Sequence, residues 1–197
     1  MSGIYAIILA AGGSVRMGTR KMLLPFGGVT IIEKVIENIM ASGIKNILVV
    51  TGSGKDEIIR IIRKLPVEQC YNENWKDGML SSIQCGIGTL PEECNAALVC
   101  LGDQPMIDPA TIEEIIYAYN NSQKNIIIPV FQEKRGHPIL IARKYFNEIG
   151  KLSPDKGLRM LAQKFPVDVM EVETDNISIL KDIDTPEDYK NELNQTD

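Results

Sequence analysis

A glycine-rich loop near the start of the chain carries two cations. In LAAGGSVRMGTRKMLLPFGG, from Leu9 to Gly28, the adjacent Gly12 and Gly13 are followed by Arg16 and Lys21. Adjacent glycines allow backbone N–H groups to approach phosphate oxygens with no Cβ in the way. An arginine can donate to two phosphate oxygens at once, whereas a lysine supplies a point charge. The loop predicts an anion site, and a surface turn with two solvated cations is the alternative.

Two further segments carry carboxylates that suit a divalent cation. In ALVCLGDQPMID, Asp103 follows an apolar run and one glycine, where it can hold Mg²⁺ or cap a turn. In KDIDTPEDY, Asp182 and Asp184 flank one isoleucine, so they point to the same side of an extended segment. Thr185 and Pro186 then have the types expected at the N-cap and first position of a helix. Capping is therefore the alternative role for these carboxylates.

Polar residues at two turns could contact a ligand. In NENWKDGMLSSI, Gly78 precedes a predicted helix whose first turn holds Ser81 and Ser82. Hydroxyls and free N–H groups at a helix N-terminus suit a ribose or a phosphate. Trp75, the single tryptophan, could stack on a base or pack in a core or lid. His137, the single histidine, lies in KRGHPILI at a turn that leads into a strand, where a structural role is the alternative to ligand binding.

Short apolar runs alternate with amphipathic stretches along the chain. The runs at 5–10, 46–50, 96–101 and 125–130 are continuous and rich in β-branched residues, as parallel strands covered on both faces are. Helical spacing of apolar residues follows at 31–40, 58–62, 80–87 and 109–119. This alternation predicts a doubly wound α/β fold, three layers deep, with a largely parallel sheet.

Such a sheet also predicts where the ligand binds. In open α/β sheets, ligands lie beyond the carboxyl ends of the strands. Those ends are Ala10–Gly13, Thr51–Gly52 and Gly102–Asp103. The glycine loop and Asp103 are therefore expected at one edge of the sheet.

The composition narrows the class of protein. A length of 197 residues with 44% hydrophobic residues fits a single domain over 1–197, and we expect the polar tail at 190–197 to fray. The net charge of −5 argues against a nucleic-acid partner. No apolar run approaches the roughly 18 residues of a membrane span. The four cysteines form no C-x-x-C pair, and we expect reduced thiols in a cytoplasmic protein.

The common nucleotide-binding motifs are absent. Gly13 and Gly18 have the glycine spacing of a Walker A loop, but Thr19 stands where its lysine belongs. GSGK at 52–55 has Val49 at the first glycine position and Asp56 after the lysine. No G-x-G-x-x-G segment follows a predicted strand. An ATPase of the Walker type and a dinucleotide-dependent dehydrogenase are thereby disfavoured.

The whole set of motifs resembles a known family. LAAGGSVRMGTRKMLLPFGG, VVTG at 49–52, NWKDGMLSSI at 74–83, GDQP at 102–105, GHP at 136–138 and DIDTP at 182–186 span nearly the whole chain. In this order they resemble the molybdenum cofactor nucleotidyltransferases, and most closely their cytidylyltransferase group. The resemblance implies a Rossmann-like nucleotidyltransferase fold with a seven-stranded mixed sheet. It also implies transfer of a cytidylyl group from CTP to the phosphate of molybdopterin, as its molybdenum complex, with release of pyrophosphate.

The resemblance also implies roles for individual residues. Lys21, Arg16 and Asp103 would be catalytic, and Asp103 with Asp184 would bind Mg²⁺. His137 would lie on the acceptor side. The nucleotide-binding positions would be Leu9, Ala10, Ala11, Gly12, Gly13, Gly52, Gly78, Ser81, Ser82 and Gly102. A transient contact with a client molybdoenzyme or its chaperone would follow from the same role.

Ala11 bears on the choice of nucleotide. Guanylyl-transferring relatives typically read LAGG where this chain has LAAG at 9–12, so Ala11 favours cytidine. Two other functions remain open. One is nucleotidyl transfer to another small phosphorylated acceptor, such as a sugar phosphate or methylerythritol phosphate. The other is a non-catalytic factor that binds the molybdenum cofactor for maturation or delivery.

Overall fold

The computed structural model of the chain describes residues 3–14, 17–153 and 157–194. In chain order the strands are β1 (Ile4–Ala10), β2 (Pro25–Phe26), β3 (Val29–Thr30), β4 (Asn46–Thr51), β5 (Glu68–Tyr71), β6 (Ala96–Leu101), β7 (Ile126–Phe131), β8 (Lys134–Arg135), β9 (Ile139–Ala142) and β10 (Val169–Glu173). The α-helices are α1 (Ile31–Ala41), α2 (Lys55–Ile62), α3 (Met79–Thr89), α4 (Pro109–Asn121), α5 (Phe146–Ile149), α6 (Arg159–Lys164) and α7 (Pro186–Leu193).

The main sheet is mixed but mostly parallel. Its strands lie in the order β10-β7-β9-β6-β1-β4-β5, and β8 pairs with β7. The β1–β4, β1–β6, β4–β5 and β7–β10 pairs are parallel. Strand β9 runs antiparallel between β6 and β7. The mixed sheet expected from the family resemblance is therefore confirmed, but it has eight strands and not seven, because the short β8 also pairs with β7.

Helices cover both faces of the sheet, which explains why the central strands are continuously apolar. In β1, Ala6 and Ile8 pack on the face that α1, α2 and α4 cover. Ile7 and Leu9 alternate with them and pack on the face that α3, α5 and α6 cover. Because successive side chains of a strand point to opposite faces, both sets must be apolar when both faces are buried.

Helix α7 lies apart from these two layers. Its Tyr189 and Leu193 pack against a small cluster formed by Met17, Phe26, Ile31 and Ile183. Glu192 of the same helix is buried and pairs with Lys181 at 2.9 Å between Oε1 and Nζ. Of the tail predicted to fray, residues 190–193 belong to this helix, and residues 195–197 lie outside the described residues.

The structure contains the predicted strands and helices, with small shifts in where they begin and end. The run at 96–101 is β6 itself, and Asp108 caps α4 by accepting from the Thr111 N–H at 2.8 Å. Helix α2 begins at Lys55, one turn before the predicted start. Strands β5 and β10 were not predicted, because they lie at the two edges of the sheet and carry exposed polar residues. Among the described residues, no helix is long and apolar enough to span a membrane.

Candidate active site

The carboxyl ends of β1, β4 and β6 meet at one edge of the sheet and form a cleft. Ala10 is in register with Thr51, and Leu9 with Leu101, so the loops that follow these strands are neighbours. We call the cavity between them the strand-end cleft; its volume is about 470 Å³. It is lined by Leu9, Ala11, Gly12, Gly13, Lys21, Met22, Trp75, Lys76, Gly78, Met79, Ser82, Leu101, Asp103, Asp182 and Asp184.

A lysine and two aspartates meet in this cleft. The Lys21 Nζ lies 2.5 Å from Asp103 Oδ2 and 2.8 Å from Asp184 Oδ1. The Lys21 side chain is only 9% exposed. Burial by itself would lower the pKa of Lys21, but the Asp103 and Asp184 carboxylates outweigh it and raise that pKa above its usual range. The ammonium is therefore charged at any physiological pH.

Lys21 is positioned by local contacts of the glycine loop. It begins a short 3₁₀ turn over Lys21–Leu23, and its backbone N–H donates to Ser14 Oγ at 3.3 Å. The preceding residue, Arg20, ties the loop to its neighbour after β4, because its Nη1 donates to Ser53 Oγ at 2.8 Å. The role of Arg20 was not predicted, since no sequence motif links it to Ser53.

The segments that carry Asp103 and Asp184 are joined by a backbone hydrogen bond. The Ile183 N–H donates to the Asp103 carbonyl at 3.0 Å, so the two acidic segments run side by side. Asn38 Nδ2, from α1, donates to the carbonyls of Pro105 and Ile107 and fixes the chain after Asp103. Because these hydrogen bonds are made to backbone carbonyls, they limit the movement of the segments that carry both carboxylates.

Helix α7 contributes a second constraint on Asp184. Thr185 is its N-cap, and Thr185 with Asp188 forms a capping box. The Asp184 N–H also donates to Asp188 Oδ2 at 3.2 Å. The sequence left helix capping and metal binding as alternative roles for this segment. The two roles are compatible, because Thr185 and Asp188 cap the helix while Asp184 lines the cleft.

Asp182 is the third carboxylate of the cleft. Gln104 Nε2 donates to its Oδ1 at 2.8 Å. Desolvation in the cleft and the nearby Asp103 carboxylate raise the pKa of Asp182 to about 6. Asp182 therefore holds its proton to a higher pH than an ordinary aspartate does.

The Asp103 and Asp184 oxygens fit a divalent cation. Both approach one positively charged atom, the Lys21 Nζ, within 2.8 Å, so a single cation can be reached by both. Magnesium commonly binds one or two carboxylates and completes its coordination with water and substrate phosphates. In the described part of the chain, no group of three or more His, Cys, Asp or Glu side chains could hold a metal. Asp103 and Asp184 therefore suit a metal whose remaining ligands are water and substrate phosphates.

The start of α3 forms the opposite wall of the cleft. Gly78 has a φ of +97°, a conformation that favours glycine, and lines the cleft with Ser82. Asn72 Nδ2 donates to Ser81 Oγ at 2.9 Å and to Ser82 Oγ at 3.0 Å. The Ser81 hydroxyl donates back to the carbonyls of Asn74 and Gly78, and Ser81 is not among the lining residues. Of the two serines, only Ser82 faces the cleft.

Some predicted site residues lie behind the cleft wall. Ala10 is fully buried, and neither Gly52 nor Gly102 lines the cleft. Gly52 packs so closely that a Cβ there would lie 2.7 Å from the Trp75 Cβ, which shows why glycine is required. Arg16 falls outside the described residues. Asn72, Lys76 and Met79 were not predicted at all, since nothing in their local sequence distinguishes them.

His137 lies outside the strand-end cleft. It lines a second cavity that shares only Met79 with the cleft. Burial lowers the pKa of His137 to about 4, although the Asp103 carboxylate opposes this shift. The imidazole is therefore neutral at physiological pH.

The cleft thus combines a glycine loop, a charged lysine and convergent carboxylates, an arrangement suited to nucleotide phosphates. Residues 6–169 match the MobA-like NTP transferase domain. The chain therefore belongs to the MobA-like NTP transferase family.

Relatives of similar length are named for different activities. Molybdenum cofactor cytidylyltransferase of Escherichia coli K12 is 29% identical over 96% of this chain and 95% of that protein. A probable molybdenum cofactor guanylyltransferase of Methanosarcina acetivorans is 30% identical over 87% and 79%. Nicotine blue oxidoreductase of Paenarthrobacter nicotinovorans is 26% identical over 93% of each chain.

Solved structures share the fold. Rv0371c from Mycobacterium tuberculosis H37Rv superimposes with a TM-score of 0.85 at 27% identity, covering 98% of both chains. A structure of the same protein in complex with manganese has a TM-score of 0.82 at 24% identity and covers 98% of this chain and 99% of that one.

Proposed function

We propose that the protein transfers a cytidylyl group from CTP to the phosphate of molybdopterin, with release of pyrophosphate. The observation that carries this proposal is the meeting of Lys21, Asp103 and Asp184 beside the glycine loop. Family membership supports nucleotidyl transfer in general. Because one relative of similar length is named an oxidoreductase, the proposal depends on these side chains as well as on the family.

The charges of the site suit the chemistry of that reaction. Attack on the α-phosphate of a nucleotide spreads negative charge over the phosphoryl oxygens and the departing pyrophosphate. Lys21 supplies a fixed positive charge where that charge develops, and the backbone of Ala11–Gly13 offers N–H groups without large side chains. An acceptor phosphate is already ionised, so no strong general base is needed.

Asp103 and Asp184 would hold a divalent cation, with Mg²⁺ as the proposed ion. When bound, such an ion neutralises phosphate charge and acts as a Lewis acid. The protein's own part is to keep the two carboxylates close together through the Ile183–Asp103 backbone hydrogen bond. Mn²⁺, the ion bound to the mycobacterial protein, is the second ion to test.

The choice of cytidine rests on Ala11. Its methyl group lies on the cleft wall, between the end of β1 and the glycine loop. Relatives named for cytidylyl and for guanylyl transfer are 29% and 30% identical to this chain, so overall identity does not separate them. Ala11, which guanylyl-transferring relatives replace by glycine, therefore supports CTP.

The direct experiment is an assay with purified protein, Mg²⁺, molybdopterin and either CTP or GTP. Pyrophosphate release is measured, and mass spectrometry identifies the dinucleotide product. We expect release with CTP and much slower release with GTP. Equal rates would contradict the cytidine assignment. The absence of pyrophosphate release with any nucleotide would favour a cofactor-delivery protein instead.

A further inference from the structure

Two half-buried cysteines contact each other near one wall of the strand-end cleft. Cys70 lies on the edge strand β5 and Cys85 on helix α3, and their Sγ atoms are 3.8 Å apart. Both side chains pack against the apolar cluster on the same face of the sheet. The two residues are 15 positions apart in the chain, so the fold brings their thiols together. The proposed reaction uses neither thiol.

The other two cysteines are placed differently. Cys94 and Cys100 are buried, and the Sγ of each lies against the backbone carbonyl two residues further on or back. Cys100 packs in the cluster on the opposite face of the sheet. Cys70 and Cys85 are therefore the pair that combines partial exposure with a neighbouring thiol.

The segment between Cys70 and Cys85 forms one wall of the cleft. Its residues that line the cleft are Trp75, Lys76, Gly78, Met79 and Ser82. Residues 73–79 are exposed or half-buried, whereas Asn72 and Leu80 on either side of them are buried. A segment with few buried contacts opens locally at a low free-energy cost. The contacts at its two ends therefore decide how firmly this wall is held.

Two neighbouring contacts join the end of β5 to α3. In the first, Asn72 donates hydrogen bonds to the hydroxyls of Ser81 and Ser82. The second is the thiol contact, since Cys70 lies two residues before Asn72 and Cys85 lies about one turn after Ser82. A thiol is a weak hydrogen-bond donor and acceptor, so this second contact holds little by itself. A covalent bond there would fasten both ends of the wall.

We propose that Cys70 and Cys85 are a redox modification site, at which a peroxide forms an intramolecular disulfide bond that fixes the cleft wall against β5. A disulfide bond is about 2.05 Å long, so the two Sγ atoms, now 3.8 Å apart, must approach by about 1.8 Å. Rotation of a cysteine side chain between staggered positions moves its sulfur over such a distance. The inference is independent of the proposed reaction, because neither a nucleotide nor an acceptor takes part.

Hydrogen peroxide is the oxidant, and the reaction balances in two steps. Burial raises the pKa of Cys70, so this thiol stays protonated and we assign the first step to Cys85. The Cys85 sulfur attacks the peroxide, the O–O bond breaks, and water leaves a sulfenic acid on Cys85. The Cys70 sulfur then attacks the Cys85 sulfur, and the S–O bond breaks as the S–S bond forms. The Cys70 proton leaves with the departing hydroxide as a second water.

The first test locates the bond by mass spectrometry. The full chain is treated with a small molar excess of hydrogen peroxide, and intact mass and peptide mapping follow. We expect the loss of two hydrogens per chain, a peptide linked through Cys70 and Cys85, and full reversal by dithiothreitol. Free thiols at both positions after treatment, or a sulfinic acid at Cys85 in place of the linked peptide, would overturn the proposal.

Hydrogen exchange shows whether the bond fixes the cleft wall. In the oxidised protein, the amides of residues 72–82 should exchange roughly tenfold more slowly than in the reduced protein, because the bond restricts opening of the segment that it closes. Equal exchange rates in the two forms would contradict the role in fixing the wall.

Cys85→Ala and Cys100→Ala make a matched pair of variants. Each removes one thiol, and the two positions lie on opposite faces of the sheet. After peroxide treatment, Cys100→Ala should form the linked peptide, show the slower exchange and melt roughly 5 °C higher than before treatment, because the bond restricts the unfolded chain. Cys85→Ala should show none of these changes.

The same response of both variants to peroxide would overturn the assignment to Cys70 and Cys85. If Cys85→Ala does not fold, as judged by its melting transition, Cys70→Ala replaces it with the same expected result. Peptide mapping of the natural protein decides the position of the bond without any variant.

Discussion

At the scale of residues, the site depends on one buried ammonium between two carboxylates. Lys21 is 82 residues from Asp103 and 163 residues from Asp184 in the chain, yet its Nζ lies within 2.8 Å of an oxygen of each. A buried charge is stable only when it is paired, so each member of the trio requires the others. The carboxylates hold Lys21 charged, and Lys21 relieves their mutual repulsion.

Lys21→Ala should therefore lower the turnover rate roughly 10²-fold or more, the usual cost of losing one contact that stabilises transition-state charge. The measurement is pyrophosphate release at saturating CTP. The exposed Lys45 provides the control, and Lys45→Ala should keep full activity.

Asp103→Asn should cost a similar factor, because an amide keeps the size of the side chain but not its charge. Asp175→Asn, at an exposed position that lines neither cavity, should leave the rate unchanged. Full activity of both Lys21→Ala and Asp103→Asn would show that the reaction occurs elsewhere.

His137 predicts a pH dependence of stability. The unfolded chain takes up a proton at this residue near pH 6.5, whereas the folded protein keeps it neutral until about pH 4. Between these values the unfolded state binds more protons, so the free energy of unfolding falls as the pH is lowered from 7 to 5. In His137→Gln, the free energy of unfolding should decrease by about 1 to 2 kcal/mol less between pH 7 and pH 5 than it does in the natural protein.

Urea unfolding at pH 7 and pH 5 checks this expectation. Because the chain contains one histidine, no other imidazole contributes to the difference between the two proteins. The same loss of stability in the variant and in the natural protein would show that His137 titrates normally.

At the scale of elements, a helix cap can contribute both to the stability of the fold and to the position of a site residue. Two helices begin with a threonine capping box, α1 at Thr30 with Glu33 and α7 at Thr185 with Asp188. Only the second lies next to a residue of the strand-end cleft, Asp184. The two caps therefore separate a purely structural effect from an effect on Asp184, the proposed metal ligand.

Thr185→Ala and Thr30→Ala should each lower the free energy of unfolding by about 1 kcal/mol. Thr185→Ala should also weaken Mn²⁺ binding roughly tenfold, as loss of a group that orients a metal ligand does. Electron paramagnetic resonance with a non-hydrolysable CTP analogue measures that affinity. Equal Mn²⁺ affinity in both variants would show that the cap does not position Asp184.

At the scale of the whole molecule, the cleft is built from segments throughout the chain. The glycine loop, the start of α3, the loop after β6 and the segment before α7 all contribute lining residues. A ligand that binds these segments together can bind only the folded state. Its binding free energy must then appear as global stability.

CTP with Mg²⁺ at about 100 times its dissociation constant should add about 2.7 kcal/mol to the free energy of unfolding. For a chain of 197 residues this corresponds to a rise of roughly 5 to 10 °C in melting temperature. A thermal-shift series measures it, with GTP expected to give a smaller rise. An equal rise with every nucleotide triphosphate would contradict the cytidine preference.

The core elements could be predicted because their signals are local. A continuous apolar run such as β6 has the pattern expected of a strand covered on both faces. Asp108–Pro109 marks the start of α4 by local capping chemistry. The edge strand β5 was not predicted, because its residues are mostly polar and exposed. Edge strands lack one of the two neighbours that would impose a pattern on their sequence.

By itself, the sequence determined the order of strands and helices, and hence that the loops after β1, β4 and β6 would share one edge of the sheet. Ser81 and Ser82 look equivalent in the sequence, but the tertiary structure turns only Ser82 toward the cleft. The tertiary structure alone decided that Lys21 pairs with both Asp103 and Asp184, and that His137 faces a separate cavity. The physical reason is that periodicity and capping act over a few residues, whereas these contacts depend on strand order and register across the whole sheet.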